Sequence, residues 1–250
     1  MASIIRVVVP VDSMDPESWK LAIEYACAAA TGSTPPAREI VLLTHTKAQL
    51  EGTSLSAYLG EPTAKALLSN SSVTVSGGTA MRHVTMRTAG RSLPASVVIA
   101  FHANDELLEF VDGLQGPLAI VAVPDLPDDA VRWIERWTPH IHGQPAQTAA
   151  PLIADPVVEK ALEHLTSMGS GKPVLDPRDE ERVNETLRIL RAKDHVLVPE
   201  KIESWAIRNG WKPKAAEQLA HKARKIGGLA SKPSLRAFHN PEGKYAGWQP

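Results

Sequence analysis

Four short runs of β-branched and aliphatic residues, each followed by a turn or a helical pattern, constrain the fold most. They occupy residues 4–10, 39–45, 95–101 and 118–123. Runs of this length without polar alternation are typical of strands buried on both faces of a parallel sheet. Parallel neighbours need crossover connections, and helical patterns begin at Pro16, Leu55, Asp105 and Pro127. The sequence therefore predicts a Rossmann-like α/β domain with a mostly parallel sheet over residues 1–142.

An inserted hairpin is predicted within this domain, between residues 71 and 88. Apolar and polar residues alternate there around Gly77 and Gly78. Paired glycines between two alternating segments favour a tight antiparallel turn. We expect residues 73–75 to face residues 84–86.

A stretch of small residues and prolines, residues 143–151, marks a linker after the α/β pattern. Four helical patterns follow it, each with a proline in its first turn, at Pro156, Pro177, Pro199 and Pro213. We expect a small all-helical domain over residues 152–230. Residues 231–250 are rich in Pro, Gly, Asn and Lys, which predicts a flexible tail.

Composition narrows the class of protein. The chain is 43% apolar and 22% charged, which is ordinary for a globular protein. It has no apolar run of the roughly 20 residues that a membrane span requires, and its start lacks the pattern of a signal peptide. We therefore expect a cytoplasmic protein without membrane contact. The single cysteine, Cys27, excludes an intrachain disulfide, and no cofactor is predicted.

Polar residues follow the predicted strands and supply candidate catalytic positions. Ligands of open parallel sheets bind beyond the carboxyl ends of the strands, which selects Asp12, His45, His102 and Asp125. A histidine oriented by a carboxylate can perform acid–base chemistry near neutral pH. The alternative is that these side chains cap helices and form turns. No glycine-rich dinucleotide loop and no Gly-x-Ser-x-Gly elbow occurs, which favours a binding protein over an enzyme.

Two histidines, His140 and His142, lie two residues apart on an extended segment. Their imidazoles therefore share one side of the chain. The neighbouring sequence supplies no third ligand at helical spacing, so no metal site is predicted.

Charge is distributed unevenly along the chain. Residues 1–150 carry 10 Lys and Arg against 15 Asp and Glu, a net charge of −5. Residues 151–200 carry 7 against 10, and residues 201–250 carry 10 against 3, net charges of −3 and +7. A basic end indicates either an acidic partner such as nucleic acid or a solvated helix face.

Residues 202–222 fit a helix-turn-helix frame with Gly210 in the turn. Six side chains of its second half are of types that reach phosphates and base edges, namely Lys212, Lys214, Gln218, His221, Lys222 and Lys225. The alternative is a packing hairpin, or one that docks on a protein partner through Trp205 and Trp211. We expect residues 201–250 to bind a partner, either nucleic acid or protein. The sequence is also compatible with an oligomer.

Three parts of the sequence resemble known families. Residues 6–12 and the alanine-rich helix after them resemble the opening of universal stress proteins, without their glycine-rich nucleotide loop. Residues 202–210 are similar to the DNA-binding end of actinobacterial nucleoid-bridging proteins, whose Arg-Gly-Arg element has no counterpart in residues 211–214. Residues 55–68, residues 124–139 and the C-terminal helices together resemble a family of uncharacterised bacterial proteins, which implies the architecture alone.

These observations favour a non-enzymatic binding or assembly protein whose basic C-terminal region contacts a partner. The alternative is an enzyme, or a sensor of a nucleotide or another small ligand, that uses the carboxyl edge of the α/β sheet.

Overall fold

The computed structural model describes residues 4–51, 54–126, 128–169 and 172–250. The chain divides into two compact units, Met1–Ala149 and Ala150–Pro250, and the division falls within the predicted linker 143–151. No helix among the described residues is long and apolar enough to cross a membrane.

The first unit is built on a sheet of seven strands. They are β1 (Ile5–Val8), β2 (Glu39–Thr44), β3 (Val73–Thr74), β4 (Ala80–Thr85), β5 (Ser92–Ala103), β6 (Gln115–Pro124) and β7 (His140–Ile141). Their order is β3-β4-β2-β5-β6-β1-β7, and every pairing except that of β3 with β4 is parallel. The mostly parallel sheet is confirmed. β4, which lies in the region of the predicted hairpin, and the two-residue strand β7 also pair in parallel with this sheet.

Helices cover both faces of this sheet. They are α1 (Pro16–Gly32), α2 (Lys47–Glu51), α3 (Leu55–Leu59), α4 (Glu61–Leu68), α5 (Asp105–Gly113) and α6 (Val131–Trp137). α1 to α4 pack on one face, while α5 and α6 pack on the other. The single helix predicted over residues 55–68 is broken at Gly60, whose φ of +80° ends one helix and starts the next. α6 starts at Val131, and the predicted helix start at Pro127 lies outside the described residues.

The predicted hairpin is confirmed, with a different register. β3 and β4 pair antiparallel around a turn at Ser76–Gly78, in which Gly77 and Gly78 both have positive φ. Val73 faces Met81 instead of residues 84–86, because the turn is shorter than expected. β4 also pairs in parallel with β2, so the hairpin extends the main sheet.

The second unit is helical. It contains α7 (Pro156–Gly169), α8 (Pro177–Ala192), α9 (Pro199–Arg208), α10 (Pro213–Gly227) and α11 (Pro241–Trp248). The four predicted helices begin at the predicted prolines, whose fixed φ suits the first helical turn. Ser170 and Gly171, which follow α7 in the sequence, lie outside the described residues.

The sequence predicts a flexible tail over residues 231–250, but the structure contains helix α11 there. Asn240 accepts a hydrogen bond from the backbone N–H of Gly243 and caps the helix. Trp248 is buried, and Lys244 forms an ion pair of 2.6 Å with Glu185 of α8. Glu242 and Lys232 form further ion pairs with Lys193 and Asp194, so several contacts fasten a segment whose composition is typical of a tail.

Candidate functional site at the carboxyl edge of the sheet

His102 occupies an unusual backbone position at the end of β5. Its φ is +52°, in the left-handed region that residues other than glycine rarely adopt. In the pairing with β6, Phe101 lies opposite Val123 and Ala103 lies opposite Pro124, with a register shift between them. His102 is therefore the extra residue of a β-bulge, a device that redirects a side chain at the rim of a sheet.

The redirected imidazole meets a carboxylate. Nδ1 of His102 lies 2.6 Å from Oδ1 of Asp125, the residue that follows β6. The hydroxyl of Ser13 donates to the same oxygen at 3.1 Å. The hydrogen bond with His102 is the largest cause that holds the pKa of Asp125 below its usual value, and Ser13 and His45 act in the same direction. An ionised Asp125 that accepts from Nδ1–H leaves Nε2 of the neutral imidazole as an acceptor.

His45 belongs to the same edge. It follows β2, and its Nδ1 lies 3.9 Å from Oε2 of Glu106 at the start of α5. Its Nε2 is enclosed and makes no hydrogen bond to any residue that the structure describes. An enclosed polar atom without a partner costs free energy, so this ring nitrogen is an unsatisfied polar group at the carboxyl edge of the sheet.

The topology explains why these side chains meet. β2, β5, β6 and β1 are consecutive in the sheet, and each delivers one loop to the carboxyl edge. From β2 the chain continues towards β4 on the face covered by α1 to α4, and from β5 it continues towards β6 on the face covered by α5. The two connections diverge between neighbouring strands, which is the switch point where open parallel sheets bind ligands.

The structure brings together three of the four predicted residues, His45, His102 and Asp125. Asp12 has another role, because its Oδ1 accepts from the backbone N–H of Met14 at 2.9 Å and stabilises a turn. Sequence reasoning missed Ser13 and Glu106. The position of Ser13, in the loop already selected for Asp12, was the one signal that could have found it.

In the basic helical region, the two tryptophans predicted to dock on a protein partner are buried. Trp205 and Trp211 are each only 4% exposed. Their indole N–H groups donate to Glu159 at 3.2 Å and to Thr166 at 2.7 Å. Both tryptophans therefore belong to the core of the helical unit, which corrects their assignment as docking anchors.

Some basic side chains of residues 201–250 form ion pairs with acidic residues of the same helical unit. Lys222 forms an ion pair of 3.0 Å with Glu180. The side-chain oxygen of Gln218 accepts from the backbone N–H of Leu175 at 2.8 Å. These two predicted contact residues hold α10 against residues of the acidic stretch 151–200.

Three other predicted contact residues remain exposed on α10. Lys214, His221 and Lys225 form no ion pair with a residue in the described part of the chain. Their spacing of seven and four places them on one face of the helix. Lys212 precedes this face at the N-cap, and Gly210, with φ +89°, turns the chain between α9 and α10.

Comparison with known proteins locates a family match in the second unit. Residues 154–249 match a family described as a domain of unknown function, DUF1889. The match runs from just before α7 to the end of α11. No curated protein and no solved structure matches the chain. The helical region is therefore similar to a family of unknown function. This finding agrees with the expected resemblance of the C-terminal helices to an uncharacterised family.

Proposed function

We propose that the α/β unit binds a small neutral or cationic ligand at the carboxyl edge of its sheet, through His102 and Asp125. The observation that carries the proposal is the His102–Asp125 hydrogen bond made by a bulge residue with positive φ. A strained backbone is retained where the surrounding structure uses it, and such positions cluster at functional sites.

Electrostatics selects the ligand class. Glu106 and Asp125 contribute carboxylates at this edge, and residues 1–150 carry a net charge of −5. The loops lack the glycine-rich backbone that cradles phosphates. A phosphorylated ligand would meet like charge, whereas a hydroxyl or ammonium group would meet acceptors.

The chemistry that this site supports is proton acceptance. Nε2 of His102 can accept a hydrogen bond or a proton from a ligand O–H or N–H group, while Asp125 stabilises the imidazolium that would form. Ser13 donates to Asp125 rather than to an imidazole, so its hydroxyl lacks the adjacent base that a nucleophilic serine needs. This geometry supports ligand recognition and proton transfer, and does not favour acyl transfer.

A ligand panel tests this proposal. Polyols, amino alcohols, amines and, as the contrasting class, nucleotides would be screened against the full-length protein by ligand-observed NMR. We expect binders among the first three classes. Asn tolerates positive φ, so His102→Asn should fold, and it should weaken binding about tenfold or more, as should Asp125→Asn.

The matched control is His239→Asn, which removes an exposed histidine of the helical unit and should leave the affinity unchanged. Binding by nucleotides alone, or an affinity that His102→Asn does not change, would contradict the proposal.

A second function, contact with a nucleic-acid backbone, is supported by the exposed face of Lys214, His221 and Lys225 on α10. Cations on one face of a helix after a tight turn suit a phosphate backbone. The residues differ from those of the first site, so the two functions are compatible.

Substituting both Lys214 and Lys225 by alanine should weaken binding to duplex DNA. It should also reduce the slope of log affinity against log salt by up to about 0.9 for each phosphate that the variant no longer neutralises. The control is Lys20→Ala with Lys65→Ala, which removes the same charge from exposed lysines of the α/β unit. If the wild-type protein binds neither DNA nor RNA at low salt, this second function is wrong.

A further inference from the structure

Tyr25, His140 and His142 converge on one point of the α/β unit, away from the residues of the proposed ligand site. β7 pairs in parallel with β1, with His140 opposite Val7, and the backbone N–H of His142 donates to Val8 at 2.9 Å. Ile141, between the two histidines, is buried in the core on the α5 and α6 face. Alternation along the strand therefore turns both histidines to the opposite face, where α1 carries Tyr25.

The three side chains present their heteroatoms to one another. Oη of Tyr25 lies 3.1 Å from Nε2 of His140 and 3.0 Å from Nδ1 of His142. Its ring centroid lies 5.7 Å and 5.8 Å from those of the two imidazoles. Two nitrogen ligands and one oxygen ligand are thus held by a strand and a helix rather than by a loop. The third ligand that the local sequence did not supply comes from α1.

We propose that this cluster binds a divalent transition-metal ion of the copper(II) type. Imidazole suits copper, nickel and zinc, and copper(II) has the highest affinity in the divalent series. Copper(II) is therefore the ion that we expect this set of two imidazoles and one phenol to bind most tightly.

The surroundings permit the ion to enter. His140 is exposed, and Tyr25 and His142 are partly exposed. No group of three His, Cys, Asp or Glu side chains is placed to hold a metal among the described residues, so no such group competes there. The phenol proton, which bridges to only one imidazole at a time, would be displaced when the oxygen coordinates the ion.

Copper(II) titration of the untagged full-length protein tests the site, by calorimetry and by electron paramagnetic resonance with glycine as competitor. We expect one tight equivalent that the double substitution His140→Ala and His142→Ala removes. Tyr25→Phe should lower the affinity at least about tenfold, because even the loss of an outer partner of a metal ligand costs that much. It should also change the spectrum.

The control is His221→Ala with His239→Ala, which removes two exposed histidines elsewhere and should keep the tight equivalent. Circular dichroism verifies that each variant is folded, and Tyr25→Phe retains both imidazoles if the double substitution disturbs β7. Absence of a tight equivalent in the wild-type protein overturns the proposal. So does a double variant that binds as much copper as the control, or an affinity and spectrum unchanged in Tyr25→Phe.

Discussion

Substituting Asp112 by alanine is expected to lower the free energy of unfolding of the protein by about 3 to 5 kcal/mol. The side chain of Asp112, near the end of α5, is fully buried and accepts from Arg136 at 2.7 Å. It also accepts from the indole N–H groups of Trp133 at 3.1 Å and Trp137 at 3.0 Å. One carboxylate thus serves three donors of α6.

A second guanidinium raises the expected cost. Arg6 of β1 lies over the ring of Trp137 at 3.4 Å. Burial lowers the pKa of Arg6 to about 10, the charge of Asp112 opposes that shift, and the charge of Arg136 adds to it. Without Asp112, the buried Arg136 and the half-buried Arg6 repel each other without their anion, which is the costly case for a buried ion pair.

Urea unfolding followed by circular dichroism measures this effect. The control is Glu61→Ala, which breaks an ion pair between two exposed side chains, Glu61 and Lys65, and should change the free energy of unfolding far less. If Asp112→Ala destabilises the protein no more than Glu61→Ala does, the carboxylate is not the centre of this network.

Acid should destabilise the protein through His83, with an effect on the order of 3 kcal/mol at pH 4. His83 of β4 is buried, and its Nε2 lies 2.9 Å from the hydroxyl of Thr44. That hydroxyl donates to the backbone oxygen of Thr46, so it accepts its second hydrogen bond from Nε2–H of the imidazole. Burial and, to a smaller extent, the charge of Lys47 lower the pKa of His83 from 6.5 to about 4.

The direction of this pH effect follows from the pKa of His83 in the unfolded chain, 6.5, and in the folded protein, about 4. Between about pH 6.5 and pH 4, His83 is protonated in the unfolded chain but not in the folded protein. The free energy of unfolding therefore falls as the pH is lowered through this window. His83→Gln keeps a donor for Thr44 but cannot be protonated. We expect its unfolding free energy to fall less between neutral pH and pH 4 than that of the wild type, while exposed His239→Gln behaves like the wild type. Equal pH dependence of wild type and His83→Gln would refute this assignment.

The strands that could be predicted from sequence are those that consist of one continuous run of apolar residues. β2 and β6 contain uninterrupted aliphatic stretches, which are typical of strands buried on both faces. β4 does not, because it carries Arg82 and His83. Arg82 is paired with Glu39 across the sheet at 2.7 Å, and His83 with Thr44. When polar residues pair with residues of another strand, the sequence pattern alone predicts that they are exposed, because the pairing is not visible in it.

The edge that carries the candidate site was predictable, and its detailed geometry was not. The strand ends selected His45, His102 and Asp125. The bulge at His102 depends on the register between β5 and β6, which no local pattern encodes. The local pattern likewise could not show whether Trp205 of α9 and Trp211 of the following turn are buried, since their indole partners lie more than 40 residues earlier in the chain.

The ring nitrogens of His102 provide the decisive measurement for the ligand site. Nitrogen NMR of the full-length protein at about pH 8.5, where imidazoles are neutral, identifies which nitrogen carries the proton. We predict that Nδ1 is protonated and Nε2 is unprotonated in the wild type, and that Asp125→Ala produces a mixture of the two tautomers. A wild-type His102 with its proton on Nε2, or a tautomer that Asp125→Ala leaves unchanged, would contradict a site in which Asp125 orients His102 towards a ligand.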